Sequence, residues 1–148
     1  MAIDQAGPDA VVELSAEESR ALLESTEFGR IGVVLAGRPE IFPVNYVAQD
    51  GHITFRSSEG TKLLGLTVHE HVVFEIDDHT DTEAWSVVAK GRARVLQTQE
   101  EIDAADELPL RPWVATLKRY YIQIEIDELS GRRFVFGEEP EEEPETAS

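Results

Sequence analysis

RIGVVLAGRPEIFPVNYVAQDGHITFRS, residues 30–57, holds three apolar runs divided by two turn sequences, and it decides the fold class. Arg30–Ala36 is rich in Val, Ile and Leu, the residues that suit a pleated, half-buried surface, and it stops at Gly37-Arg38-Pro39. Glu40–Gln49 is a second run, ended by Asp50-Gly51, a strong hairpin signal. His52–Ser57 returns as a third strand. Three antiparallel strands in succession form a meander.

Working outward, Ser15 with Glu18 three residues on forms a capping box, and Leu22 and Leu23 supply an apolar face, so a helix runs from Ser15 to about Glu27. After the meander the pattern predicts a short helix over Glu59–Val68 and a strand over His71–Asp77. A long strand over Trp85–Gln97 follows, with Gly91 marking a bend or bulge. Gln99–Leu108 reads as an acidic helix and Leu108–Trp113 as a Pro-broken connection. RYYIQIEI, residues 119–126, alternates as a half-buried strand should; Ser130-Gly131 then reads as a turn into a last strand, Arg132–Phe136. Six or seven strands in hairpin-type succession, with short helices between them, give a mainly β protein: a closed or partly closed antiparallel barrel.

With 148 residues, 41% of them hydrophobic, the chain makes one domain with a sizeable core. It divides into a flexible N-terminal segment (1–13), a barrel domain (14–137) and an acidic tail (138–148). Residues 138–145, EEPEEEPE, hold six acids and no apolar residue, so that tail is expected to be disordered. Thirty acids against thirteen bases give a formal charge of −17, which argues against nucleic-acid and anionic-membrane partners. Without cysteine there is no disulfide, thiolate nucleophile or Cys-based metal site. The N-terminus does not read as a signal peptide and no run is long enough to span a bilayer, so a cytoplasmic protein is expected.

Two clusters carry chemistry. Pro43 sits inside a strand-like run, where it cannot donate to a ladder; that places it at an edge or a break, leaving the backbone of Val44 and Asn45 available to a flat heteroaromatic ring. A barrel-edge proline with no ligand is the plain alternative. Phe55 to Lys62, FRSSEGTK, ends a strand and opens a helix. Arg56 offers a planar fork, Lys62 a point charge, and Ser57, Ser58 and Thr61 add hydroxyls. The first N–H groups of the following helix add donors, so this small volume suits a phosphate. A capped helix with two solvated bases is the alternative here. His69-Glu70-His71 reads as surface histidines at a turn, and no metal site is expected.

RPEIFPVNYV, ITFRSSEGTKL, AWSVVAKGRA, LRPW and RYYIQIEIDELSGRR occur in an order that resembles the pyridoxamine 5′-phosphate oxidase-like family of flavin-binding split β-barrels. The resemblance runs from about Leu14 to Arg133. It implies a six-stranded split barrel that dimerises, with FMN in two equivalent sites at the subunit interface. In that reading Arg56, Ser57, Thr61 and Lys62 hold the FMN phosphate and ribityl chain. Pro43, Val44 and Asn45 line the isoalloxazine edge, with Phe55 beside them. Trp85 and Ser86 approach from the partner subunit, as does Trp113.

Oxidases proper of this family grip their substrate's phosphate with arginine and histidine in a longer C-terminal region. Here the matching stretch is SGRRFVFGEEP, without histidine and with Arg132 and Arg133 flanking the expected turn, so pyridoxamine phosphate is not the expected substrate. Other relatives bind a deazaflavin with a polyglutamate tail, or haem. Setting the six tail acids aside takes the remainder of the chain from −17 to −11, which suits the single phosphate of FMN better than a polyanion. The resemblance therefore implies an FMN-dependent oxidoreductase acting on a small-molecule substrate or reductant. The alternatives are a non-catalytic flavin or deazaflavin binder and a deazaflavin-dependent reductase.

Overall fold

The computed structural model describes residues 10–57, 70–110 and 120–137. In chain order these form β1 (Val11–Glu13), α1 (Ala16–Ser25), β2 (Phe28–Leu35), β3 (Arg38–Gln49), β4 (His52–Ser57), β5 (Glu70–His79), β6 (Glu83–Val95), α2 (Gln99–Asp106) and β7 (Tyr120–Val135). The expected helix at 59–68 and the LRPW connection from Arg111 onward lie outside the described residues.

Every pairing is antiparallel, and the strands follow one another as β7-β4-β3-β2-β5-β6, with β6 pairing back to β7. Six strands thus close a ring, which removes the open sheet edges. The interior follows from alternation. Ile31, Val33, Tyr46, Ile53, Phe55, Phe74, Ile76, Val87, Ile122 and Ile124 are buried in one cluster, capped by Leu23 of α1. Tyr46 meets Phe74 edge-on at 4.8 Å and donates its hydroxyl to the Leu23 carbonyl at 2.6 Å, tying α1 to the barrel. At the head of α1, Glu18 N donates to Ser15 Oγ and Ser15 N donates to Glu18 Oε1, each at 3.1 Å: the capping box read from the sequence.

Both hairpins of the meander use two-residue turns. Asp50 and Gly51 have φ of 53° and 78°, as the Asp-Gly signal requires. The first turn is Ala36-Gly37, with φ of 51° and 77°, one residue earlier than expected; Arg38 and Pro39 already belong to β3, opposite Leu35 and Val34. Gly91 sits at the register shift in the β6–β7 ladder, and a Cβ there would lie 2.0 Å from the Glu125 carbonyl oxygen.

Two expectations give way near the termini. Ser130-Gly131 is no turn: β7 runs unbroken through both and carries Arg132 and Arg133 within it. Gly131 is instead a close-packing glycine, since a Cβ there would meet Ser19 Oγ of α1 at 2.5 Å. Val11–Glu13, placed by sequence in a flexible segment, pair with Phe134–Arg132 as a short added strand. Leu14 N continues that attachment by donating to the Gly131 carbonyl at 2.9 Å.

Candidate functional site

The wall of the barrel changes character between β3 and β4. Their ladder runs from Gln49–His52 to Tyr46–Phe55 and ends there, although both strands continue. The next positions are Asn45 and Arg56, then Val44 and Ser57. Pro43 lies in the stretch of β3 held by β2 on one side (it pairs with Arg30) and past the β4 ladder on the other. Its missing N–H therefore interrupts no β3–β4 bond, as an edge proline should. The structure thus brings Pro43, Val44, Asn45, Arg56 and Ser57 to the place where the β3–β4 ladder opens.

Alternation sorts these residues by face. Phe55 is 0% exposed and its ring fills the core, so it lines no site with its side chain. Val44 also packs against the core. Pro43 is exposed, and Asn45 and Arg56 are half-buried. Thr61, Lys62 and Trp113 lie outside the described residues.

Arg56 is held in an unusual way. It pairs directly with Tyr121 across the β4–β7 ladder, and its guanidinium carbon lies 4.9 Å from the centre of the Tyr121 ring. Its Nε is buried and finds no acceptor among the described residues. No carboxylate there pairs with it, whereas Arg30, Arg92, Arg94 and Arg133 all have acidic partners within 4.0 Å. A desolvated donor without an acceptor costs about 1–3 kcal/mol. The residues present fit a phosphate.

Tyr121 is the residue that reading the sequence for chemistry missed. Its hydroxyl donates to Asp106 at the end of α2, and its ring packs with Leu96 and Ala105 in a small cluster beside Ile102 and Leu108. A second tie fixes the same helix: Arg94 Nη2 donates to Glu101 Oε1 at 2.5 Å. That hydrogen bond and the charge of Arg94 hold the Glu101 carboxyl down to about 2. The alternation in RYYIQIEI was the available signal, since it puts Tyr121 on the outer face with Gln123, opposite Ile122 and Ile124.

Trp85 and Ser86 are not part of this opening. They pair with Arg133 and Arg132 near the start of β6, whereas Val95 at its other end pairs with Ile122. About 30 Å of strand separates them from the Arg56 end, at roughly 3.3 Å per residue. The outer face of β2, β3 and β5 carries exposed apolar side chains: Val34 at 65%, Ile41 at 70% and Val73 at 38%. An open groove of about 640 Å³ runs over them, bordered by Pro39, His71 and Lys90.

The pyridoxamine 5′-phosphate oxidase family model matches residues 15–133. The chain belongs to that family. An uncharacterised Mycobacterium tuberculosis family relative, Rv3129, is 42% identical over 95 residues, covering 64% of this chain and 86% of its own length. A crystal structure from Corynebacterium glutamicum, 38% identical, gives a TM-score of 0.81 over 90% of this chain and 100% of that chain. The FAD-binding protein from Mycobacterium smegmatis, also 38% identical, gives 0.75 over 85% of this chain and 100% of its own. Among the described residues of this family member, no helix is long and apolar enough to cross a membrane.

Proposed function

We propose that this protein binds a flavin, FMN in the first instance, with its phosphate at the opening between β3 and β4, and acts as a cytoplasmic flavin-dependent oxidoreductase on a small-molecule substrate. The observation that carries the reading is Arg56: a half-buried cation whose buried Nε finds no acceptor among the described residues, where Arg30, Arg92, Arg94 and Arg133 each have an acidic partner. Arg56 supplies the fork, and Ser57 with Thr61 and Lys62 from the segment that follows completes the phosphate contacts. Pro43, Val44 and Asn45 offer the edge of β3 to the ring system. When bound, the flavin supplies hydride or electron transfer, and the protein orients it and shields it from water.

The second part of the reading is a homodimer. Trp85, Ser86 and Trp113 are assigned to the flavin by family resemblance. The first two sit some 30 Å of strand from Arg56 in their own chain, so they serve a flavin held by a second copy. The apolar face around Val34, Ile41 and Val73 is the surface offered to that copy. A specific observation favours FAD as the alternative cofactor: the M. smegmatis relative is an FAD-binding protein. A deazaflavin fits less well with the strongly acidic composition. Pyridoxamine 5′-phosphate turnover is not expected.

Purified protein should be yellow, and heat release followed by chromatography identifies FMN or FAD. Colourless protein that also fails to bind either added flavin defeats the proposal. Anaerobic bleaching by NADH or NADPH separates an enzyme from a carrier. Arg56→Ala with Lys62→Ala should abolish tight binding, because each lost charge-assisted contact removes about 1.5–3 kcal/mol.

A further inference from the structure

Resting on the phosphate reading above, we infer that Tyr121 is a positioning residue for anion binding: its ring is the platform that orders the Arg56 guanidinium. The two residues are directly paired on β4 and β7, with the guanidinium carbon 4.9 Å from the ring centre. Tyr121 is itself fixed. It is 6% exposed, its hydroxyl is held by Asp106, and its ring is wedged against Leu96 and Ala105. Asp106 lies on α2, which the Arg94–Glu101 ion pair clamps to the same wall.

The choice of an aromatic support has a chemical consequence. A carboxylate would also hold an arginine in place, as Glu75 and Asp77 hold Arg30, but it would cancel the charge that an anion needs. A π face attracts the guanidinium through its quadrupole and leaves the net charge intact. It also removes rotamer freedom that a long, exposed side chain would otherwise lose on binding. Arg56 is thus ordered in advance while remaining a full cation.

The test compares FMN with riboflavin, which lacks the phosphate, by quenching of flavin fluorescence in the flavin-stripped full chain. Tyr121→Leu should weaken FMN binding about 2- to 30-fold, the span of a cation–π contact, and leave riboflavin within about twofold. Tyr121→Phe keeps the ring and should restore FMN binding to within about threefold of the parent. Equal loss of FMN and riboflavin in Tyr121→Leu, or no loss of either, overturns the inference. If Tyr121→Leu does not fold, Tyr121→Met, which refills the volume without a π face, decides on the same criterion. Arg56→Ala separates the two levels. If it leaves FMN affinity unchanged, the phosphate reading itself fails; if it weakens FMN while Tyr121→Leu does not, only the platform fails.

Discussion

Arg30 and Arg56 both stand half-buried on the barrel wall, and their surroundings are opposites. Arg30 on β2 meets Glu75 at 3.0 Å and Asp77 at 2.8 Å across the β2–β5 ladder, two acids for one base. Arg56 on β4 meets an aromatic face and no carboxylate among the described residues. The chain holds thirty acids against thirteen bases, and several of its arginines are tied to acids. Arg92 has Glu125 and Asp127, Arg94 has Glu101, and Arg133 has Glu18. The β2–β5 face is electrostatically closed, whereas on the β4–β7 face Arg56 has no acidic partner among the described residues.

Both faces hang on the β6–β7 ladder, so the severest way to break the contrast is to break that ladder. Gly91→Ala sets a methyl group against the Glu125 carbonyl. It should destabilise the fold by about 3 kcal/mol, read from urea unfolding, with flavin binding lost together with structure. Next in size, Arg56→Met should weaken FMN about tenfold to a hundredfold, the range of one charge-assisted hydrogen bond, with little change in melting temperature. Arg30→Met should do the reverse: FMN affinity unchanged, and stability lower by no more than about 1 kcal/mol, because the group is partly exposed and solvent screens the pair. Equal effects of the two substitutions on FMN would erase the distinction between the faces.

A smaller effect lies in acid. Glu101 is held at about 2 by Arg94, below its ordinary value, so its contribution is present above the unfolded carboxyl range and disappears as pH falls from about 5 to 2. Around Arg30 the two carboxyls move oppositely. Burial and Asp77 raise Glu75, while hydrogen bonds from Glu75 and Arg30 lower Asp77, so their pH effects offset in part. Glu101→Gln should therefore flatten the acid limb of stability between pH 5 and 2 more than Glu75→Gln does. Smallest of all, Ala36→Asn places a residue tolerant of positive φ in the β2–β3 turn. It should raise stability by about 0.5 kcal/mol in thermal melts and move neither arginine.

Much of this was legible locally. His52–Ser57 is bounded as read, because Asp50-Gly51 fixes the hairpin register. The capping box at Ser15 and the irregularity at Gly91 were likewise written in short segments. Arg56 stands out as a candidate by residue type and position. What escaped was set by partners distant in the chain. Gly131 looks like a turn residue until α1 is seen to press Ser19 against it, so by local pattern one long strand reads as two. Val11–Glu13 is too short to show a period and owes its strand state to β7. Phe55 stands next to Arg56 in the chain, but adjacent strand residues face opposite sides and its ring lies in the core. Tyr121 supports Arg56 from 65 positions further along, a relation no local pattern contains.

The unbroken β7 has a bearing on how the molecule is made. It bonds to β1, β4 and β6 at once, so three of the other six strands wait for residues 120–135 before their hydrogen bonds are complete. On the ribosome the meander and the β5–β6 hairpin emerge first, with the edges of β4 and β6 exposed for seconds at ordinary synthesis rates. Unpaired edges recruit other strands, including those of neighbouring nascent chains. A truncation that removes β7 is therefore expected to yield aggregates rather than a smaller barrel, and slow growth of such a chain in the cell should be accompanied by chaperone demand.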